Sequence, residues 1–440
     1  MGGIATLMET TPQDAQSAFP ASTGLALASL ALGIAAVGLS FLLVGLLAGA
    51  VGVALGIAYL SKKRGPTAMA RWGVGLSLLG SFASIGFGLL YFHYYHLFAH
   101  GQTGGLFNVA ATGALANPPP LLASSPLLKS NLVWSATISG AQALCVGDWQ
   151  SDGSALVLVA AGQTLHVLDL TGAEKTTLPL PERFTTIECG RNKAAGARLL
   201  GYTPWGRQVS VIDHFGKNIW NHSAAMGVNG AHWGDLDGDG NDEMIVGLNG
   251  FGGLEALSGD GKKLWSASLG NVWSQAFVPA MSNRPALVLA TDASGSVNVF
   301  DAAGHRQSSL RPSGGYFAAM TAGAVESNAV QILAFSGNAA VAFDQTGTVQ
   351  WMTSAQSIMA NSANPRQLVA MGDLKGDGTK QWVFVDGSGD LVIATTSGQK
   401  VSSISNQSSI QGVAVAPRSG QGALLLTLDG GVVRAYSFQP

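Results

Sequence analysis

Charge is scarce in this 440-residue chain: 23 Lys+Arg and 25 Asp+Glu make 11% of it, under half the roughly 25% of an average soluble domain. With a formal net charge of −2, the chain carries no basic footprint for nucleic acid. Cysteine occurs twice, too rarely for a disulfide framework. No Lys or Arg precedes residue 62, so the N-terminus lacks the basic region of a cleavable signal peptide. Residues 131–440 contain no Cys-Cys pair, no Gly-x-Ser-x-Gly elbow and no zinc-type His cluster, which argues against the common catalytic constellations. Glycine, by contrast, is abundant at 59 residues, near twice its usual share of about 7%.

The scarcity is uneven. Residues 1–130 hold seven charges: Glu9, Asp14, Lys62, Lys63, Arg64, Arg71 and Lys129. Residues 1–22 form a polar tail and 23–61 an uncharged apolar run. A bilayer core about 30 Å thick needs roughly 20 helical residues, so this run crosses either once with a folded-back half helix or twice. A second apolar segment runs from Trp72 to about Phe98 and ends in LLYFHYYHLF, an aromatic belt of the interfacial kind. The basic residues between the two segments lie in 62–71, so that loop should face the cytoplasm and everything beyond about residue 100 should lie outside. Residues 23–98 are therefore expected to form a transmembrane α-helical hairpin. Residues 99–130, rich in Gly, Ala, Pro and Ser, read as a linker. The apolar glycine-rich segment, KKRG loop and second apolar segment resemble a small bacterial glycine-rich two-helix membrane domain of unknown function. The resemblance implies the bacterial cytoplasmic membrane as location.

From residue 165 onward a signature recurs at intervals of 43 to 51 residues: an alternating strand, Asp-x-x-Gly, then often Trp. It appears as VLDLTG, VIDHFGKNIW, ALSGDGKKLW, VFDAAGHRQS, AFDQTGTVQW and ATTSGQKVSS. Asp caps its own backbone in such a turn and Gly supplies the positive φ. A seventh unit, 422–438, lacks an outer strand, and Leu132-Val133-Trp134 supplies one ahead of the first unit. The fold class is thus mainly β, a seven-bladed β-propeller over 131–440 closed by strand 131–137. Closure removes open sheet edges. The Asp-x-x-Gly-x-x-x-Trp hairpin resembles the repeats of quinoprotein-dehydrogenase-like (PQQ-like) propellers. That superfamily implies the propeller fold; its enzymes have eight blades and a vicinal Cys pair, both missing here.

The sharpest motif is GDLDGDGNDEMIVG at 234–247. Asp235, Asp237 and Asp239 alternate, Gly240 permits a tight turn, Asn241 offers a carbonyl and Glu243 closes the loop. Ca²⁺ takes six to eight oxygens at about 2.3–2.6 Å, and bunched carboxylates repel without a cation. The loop resembles those of integrin-like FG-GAP or VCBS repeats, which implies calcium. Copies at 147–156 and 372–381 have lost ligands, with Lys375 able to fill the charge site. His93, His96 and His100 share one helical face and read as interfacial polar residues. Trp134, Trp220, Trp265 and Trp351 read as packing between blades. Trp149, Trp205, Trp233 and Trp273 fall off that register, where some could line a partner-binding face. Cys145 and Cys189, 44 residues apart, are placed at equivalent positions of adjacent blades, beyond the about 7 Å that bridging allows, and are expected to stay unbridged.

The combination predicts a binding or scaffold module for an envelope protein or glycan, anchored in the membrane on the extracytoplasmic side, with a structural calcium loop, no organic cofactor and no catalysis. The alternative is a quinone-dependent or other small-ligand enzyme or sensor ectodomain.

Overall fold

The computed structural model describes residues 29, 30, 32, 45–61, 67–99, 121–123, 128–193, 196–281, 284–312, 315–326, 329–356, 365–405, 407 and 409–439. The chain divides into two units, Met1–Phe107 and Asn108–Pro440.

In the first unit, helix α1 (Gly45–Ser61) packs against helix α2 (Ala68–Ala99). Their contact is built largely on small residues, with Val74 against Gly56 and a buried Tyr59–Ala70 pair. A Cβ on Gly52 would lie 2.3 Å from Ser77 Oγ, and one on Gly49 would meet Ser81 Oγ and the Ser77 carbonyl. Large apolar side chains point away instead, with Leu47, Trp72, Phe82 and Leu89 all exposed. Ala68–Leu89 is long and apolar enough to cross a bilayer. Over its described residues helix α1 has 17, fewer than the roughly 20 that a straight crossing needs. Residues 33–44 and 62–66, on which the number of crossings turns, lie outside the described residues, as do His100 and the side chains of His93 and His96.

The second unit is a ring of seven antiparallel sheets, numbered here as blades. Blades 1 to 6 span 141–179, 186–223, 228–267, 275–310, 319–354 and 370–404. Blade 7 joins 412–439 to the strand 129–137. In each blade the first strand is innermost and the fourth outermost. The closing strand pairs antiparallel with 432–439, from Lys129↔Gln439 to Thr137↔Val432. It starts two residues before the expected 131. Within the stretch read as linker, Leu122–Ala123 adds a parallel edge to blade 6 through Leu122↔Gln399.

The recurring signature builds the joints between blades. Its six turns each close with a bond from the Gly N–H to the carbonyl three residues back, as in Gly172 to Asp169 and Gly304 to Asp301, both 3.0 Å. The outer-strand Trp of one blade lies on the turn glycine of the next. Trp265 Nε1 donates to the Ala302 carbonyl at 2.8 Å, and a Cβ on Gly304 would sit 2.5 Å from the Trp265 ring. Trp134, Trp220 and Trp351 repeat this arrangement, donating to Leu170, Gly259 and Thr396. Nearer the axis, the inner strand of blade 2 ends in Gly190, against which Trp233 of blade 3 packs. The cores lie between neighbouring sheets, with Val157, Leu199, Val246, Leu289, Ile332 and Val383 fully buried.

Cys145 and Cys189 form a disulfide with Cα atoms 6.0 Å apart, correcting the expectation of an unbridged pair. Blades diverge like the leaves of a fan, so their separation is smallest at the inner strands that carry both cysteines. The two positions are also not equivalent. Cys145 lies two residues before Gly147 and Cys189 one before Gly190. That offset lets Cys189 pack over Gly147, where an added Cβ would stand 2.7 Å from the Cys189 Cβ.

Candidate functional site

Residues 235–242 join the inner strand of blade 3 to its second strand, which begins at Glu243. Asp235 organises the turn: its carboxylate accepts the N–H groups of Gly238 at 2.7 Å and Gly240 at 2.9 Å. Asp237 accepts from the Asp239 N–H at 3.0 Å. Asp239 accepts from the Asn241 N–H at 2.7 Å and its side-chain amide at 2.9 Å. Those two bonds, backbone first, hold the Asp239 carboxyl below its ordinary pKa. Asp235, Asp237 and Asp239 bring one oxygen each to within 4.8 Å of one another, with Asp237 and Asp239 exposed and Asp235 half-buried.

Asp235, Asp237 and Asp239, three of the five expected ligands, therefore stand as a carboxylate cluster. Glu243 is buried beneath them, accepting from the Leu236 N–H at 2.9 Å. Burial, reinforced by the three aspartates, pushes its pKa up to about 7. The Asn241 side-chain oxygen accepts from the Lys193 N–H at 2.8 Å. Both residues shape the loop, Asn241 by bonding the Asp239 carboxylate and Glu243 from beneath.

The other copies show what this loop does without the charge cluster. In blade 6, Asp373 caps Gly376 and Gly378 as Asp235 does, and Gln381 takes the place of Glu243, accepting from the Leu374 N–H at 2.8 Å. Lys375 stands at the Asp237 position, its Nζ 4.0 Å from Asp377. In blade 1, Asp148 caps Asp152 and Gly153, and Leu156 replaces the glutamate. The capping aspartate is thus a feature of the turn. Three clustered carboxylates belong to blade 3 alone among these loops, and blade 6 has a lysine where the third would stand.

Residues of blade 2, remote in sequence, complete the surroundings. The Arg191 N–H donates to Asp242 at 2.6 Å, and the Asp242 N–H returns a bond to the Arg191 carbonyl at 3.0 Å. Burial raises the Asp242 pKa. Lys193 Nζ engages the Asp239 carbonyl, and its charge adds to the lowering of the Asp239 pKa. A cavity of about 430 Å³ lies here, lined by Asp148, Trp149, Arg191, Lys193 and Asp242, with Cys189 beside them. A signal for this was available: Gly190-Arg191 follows the inner strand where blades 1, 3 and 6 have Gly-Asp. Its consequence, a cationic loop clasping the acidic one, needed the ring geometry.

Of the off-register tryptophans, Trp149 and Trp233 are core residues, at 2% and 6% exposure. Trp205 is different: it is 74% exposed, with φ of 65°. In the loop 203–207, it belongs to the opposite face, as do Met226 and the 94% exposed Phe251 of loop 249–253. The Trp205 N–H donates to the Val228 carbonyl, and the Asn249 N–H to the Gly227 carbonyl, both 2.7 Å, so these loops are neighbours.

No protein-family description matches the chain, and no curated protein does either. Among solved structures, it is similar to BBS1N, crystallised in complex with ARL6DN, with a TM-score of 0.53 at 11% identity over 70% of this chain and 96% of that one. It is also similar to virginiamycin B lyase from Staphylococcus aureus, with a TM-score of 0.51 at 12% identity over 70% of this chain and 99% of that one. At these identities the likeness is one of fold, and one fold hosts many functions.

Proposed function

We propose that this chain is a membrane-anchored β-propeller displayed outside the cytoplasm of a bacterium, where it binds or scaffolds an envelope protein or glycan. The Cys145–Cys189 bridge is the observation that carries this reading, because such bonds persist in oxidising compartments. The helix pair supports it. Apolar side chains outside and a contact of small residues are how helices pack in lipid, so we assign 23–98 as a transmembrane hairpin with the basic loop 62–71 on the cytoplasmic side. That BBS1N was crystallised with a partner protein is consistent with a binding role for this fold. The exposed face of Trp205, Met226 and Phe251 is where we place the partner, since clustered exposed aromatics mark interaction sites. The chain acts by binding and not by catalysis.

Loop 235–243, of FG-GAP type in this reading, holds calcium. Asp235, Asp237 and Asp239 supply its carboxylates, and the ion offsets their repulsion and braces blade 3 against the Arg191–Lys193 loop. Protease added to spheroplasts should digest the propeller, while protection would refute the orientation. Affinity capture with the full chain should retain one envelope component, and Phe251→Ser should release it. For the loop, EDTA should lower the melting temperature of the parent and leave Asp237→Ala unmoved. An unchanged parent would refute calcium.

A further inference from the structure

The inner strands surround an axial cavity of about 270 Å³, whose lining includes Leu144, Glu188, His232, Thr321, Gln367 and Val413. Glu188 and His232 occupy the same register in adjacent blades, each two residues before an inner-strand glycine, Gly190 and Gly234. Thr321 stands likewise two before Gly323. A propeller turns residues of one register into a ring around its axis, so these side chains meet there.

Glu188 Oε2 and His232 Nδ1 are 2.6 Å apart, and Glu188 Oε1 accepts from the Trp233 N–H at 3.3 Å. The carboxylate thereby fixes the ring and takes its Nδ1–H. A neutral imidazole held this way presents a lone pair at Nε2. His232 is only 6% exposed, and its Nε2 has no partner within the protein. The amide nitrogen of Gln367 is a second buried group on the same lining without a partner. Gln367 belongs to the short 3-10 turn Pro365–Leu368, which lies against the inner strands of blades 5 and 7.

One acceptor and one donor, both shielded from solvent, thus share one cavity. Among the described residues of the lining, Glu188 and His232 are the only acidic or basic side chains, and with the imidazole neutral the carboxylate's charge would repel an anion. Leu144, Ile187, Val413 and Val415 add apolar surface, and Thr186 and Thr321 stand among them. The volume is below the about 300–1,000 Å³ of pockets for drug-sized ligands. We propose that the axial cavity binds a small uncharged hydroxyl compound, with a ligand O–H donating to His232 Nε2 and a ligand oxygen accepting from Gln367 Nε2. Glu188 is the positioning residue that sets the imidazole. This site is independent of the calcium loop and of the partner face.

The test uses the full chain in a detergent without sugar headgroups, with glycerol and D-glucose as probes and gluconate as the anionic control. Saturation-transfer NMR titrations should give saturable binding of at least one uncharged probe and none of gluconate. His232→Phe should weaken that binding about tenfold, the loss expected when a buried hydrogen-bond partner is removed. Gln367→Leu, at the other wall, should weaken it similarly and serves if His232→Phe does not fold. Binding of neither probe, or binding that neither variant weakens, would overturn the proposal. So would zinc binding that depends on His232 in a protein that ignores both probes.

Discussion

Gly304 shows how much rests on a missing side chain. It combines a φ of 84° with Trp265 lying where its Cβ would be. Gly304→Ala should cost about 2–4 kcal/mol, from left-handed strain plus overpacking. Gly162 has φ of 59° but open space around it, so Gly162→Ala should cost only the strain, about 1–2 kcal/mol. Urea melts of the two variants measure the Trp–Gly joint by difference. The aspartates of the same turns make the fold acid-labile. Burial opposes ionisation at Asp169, Asp301 and Asp344, yet hydrogen bonds within the turns outweigh it, from Lys175 and Thr171 at Asp169, His305 at Asp301 and Thr346 at Asp344. Their folded pKa values lie below the ordinary carboxylate value of about 3.9. The stability they contribute is therefore present above about pH 4 and lost as pH falls through the depressed values. Melting temperature should hold between pH 5 and 7 with respect to these groups and drop below pH 4, less steeply in Asp169→Asn. At this scale Asp235, Asp237 and Asp239 were legible because they alternate within five residues. Lys193, 46 residues before Asp239, was not, since only the ring brings the two loops together.

The blades were legible as elements because each turn signature marks one hairpin, and Trp134 stood ahead of any hairpin to which it could belong. What the repeat spacing misjudged was the cysteine pair. A step of 44 residues suggested equivalent positions, but the inner-strand glycines Gly147 and Gly190 are 43 apart, and that one-residue slip gives the bridge its geometry. The bond ties blade 1 to blade 2 at the axis. Cys189→Ser, or reduction, should lower stability by about 2–4 kcal/mol, read as a shift in the urea midpoint of the oxidised parent. The closing strand is the second element on which the ring depends. A chain lacking 128–137 leaves strand 432–439 as an open edge, which invites pairing with other chains. It should elute as aggregate in size-exclusion chromatography and be cleaved in blade 7 sooner than the parent.

Across the whole molecule, the first and last strands of the propeller are hydrogen-bonded neighbours, Lys129 beside Gln439. Synthesis runs from one end, so the closing strand emerges from the ribosome some 300 residues before its partner. Until that partner arrives it has no sheet to join. Blades 1 to 6 can assemble in order as they appear, but blade 7 awaits residues 412–439. A chain cut short before residue 432 therefore leaves the strand 129–137 without its partner, an unpaired edge that the closed ring conceals.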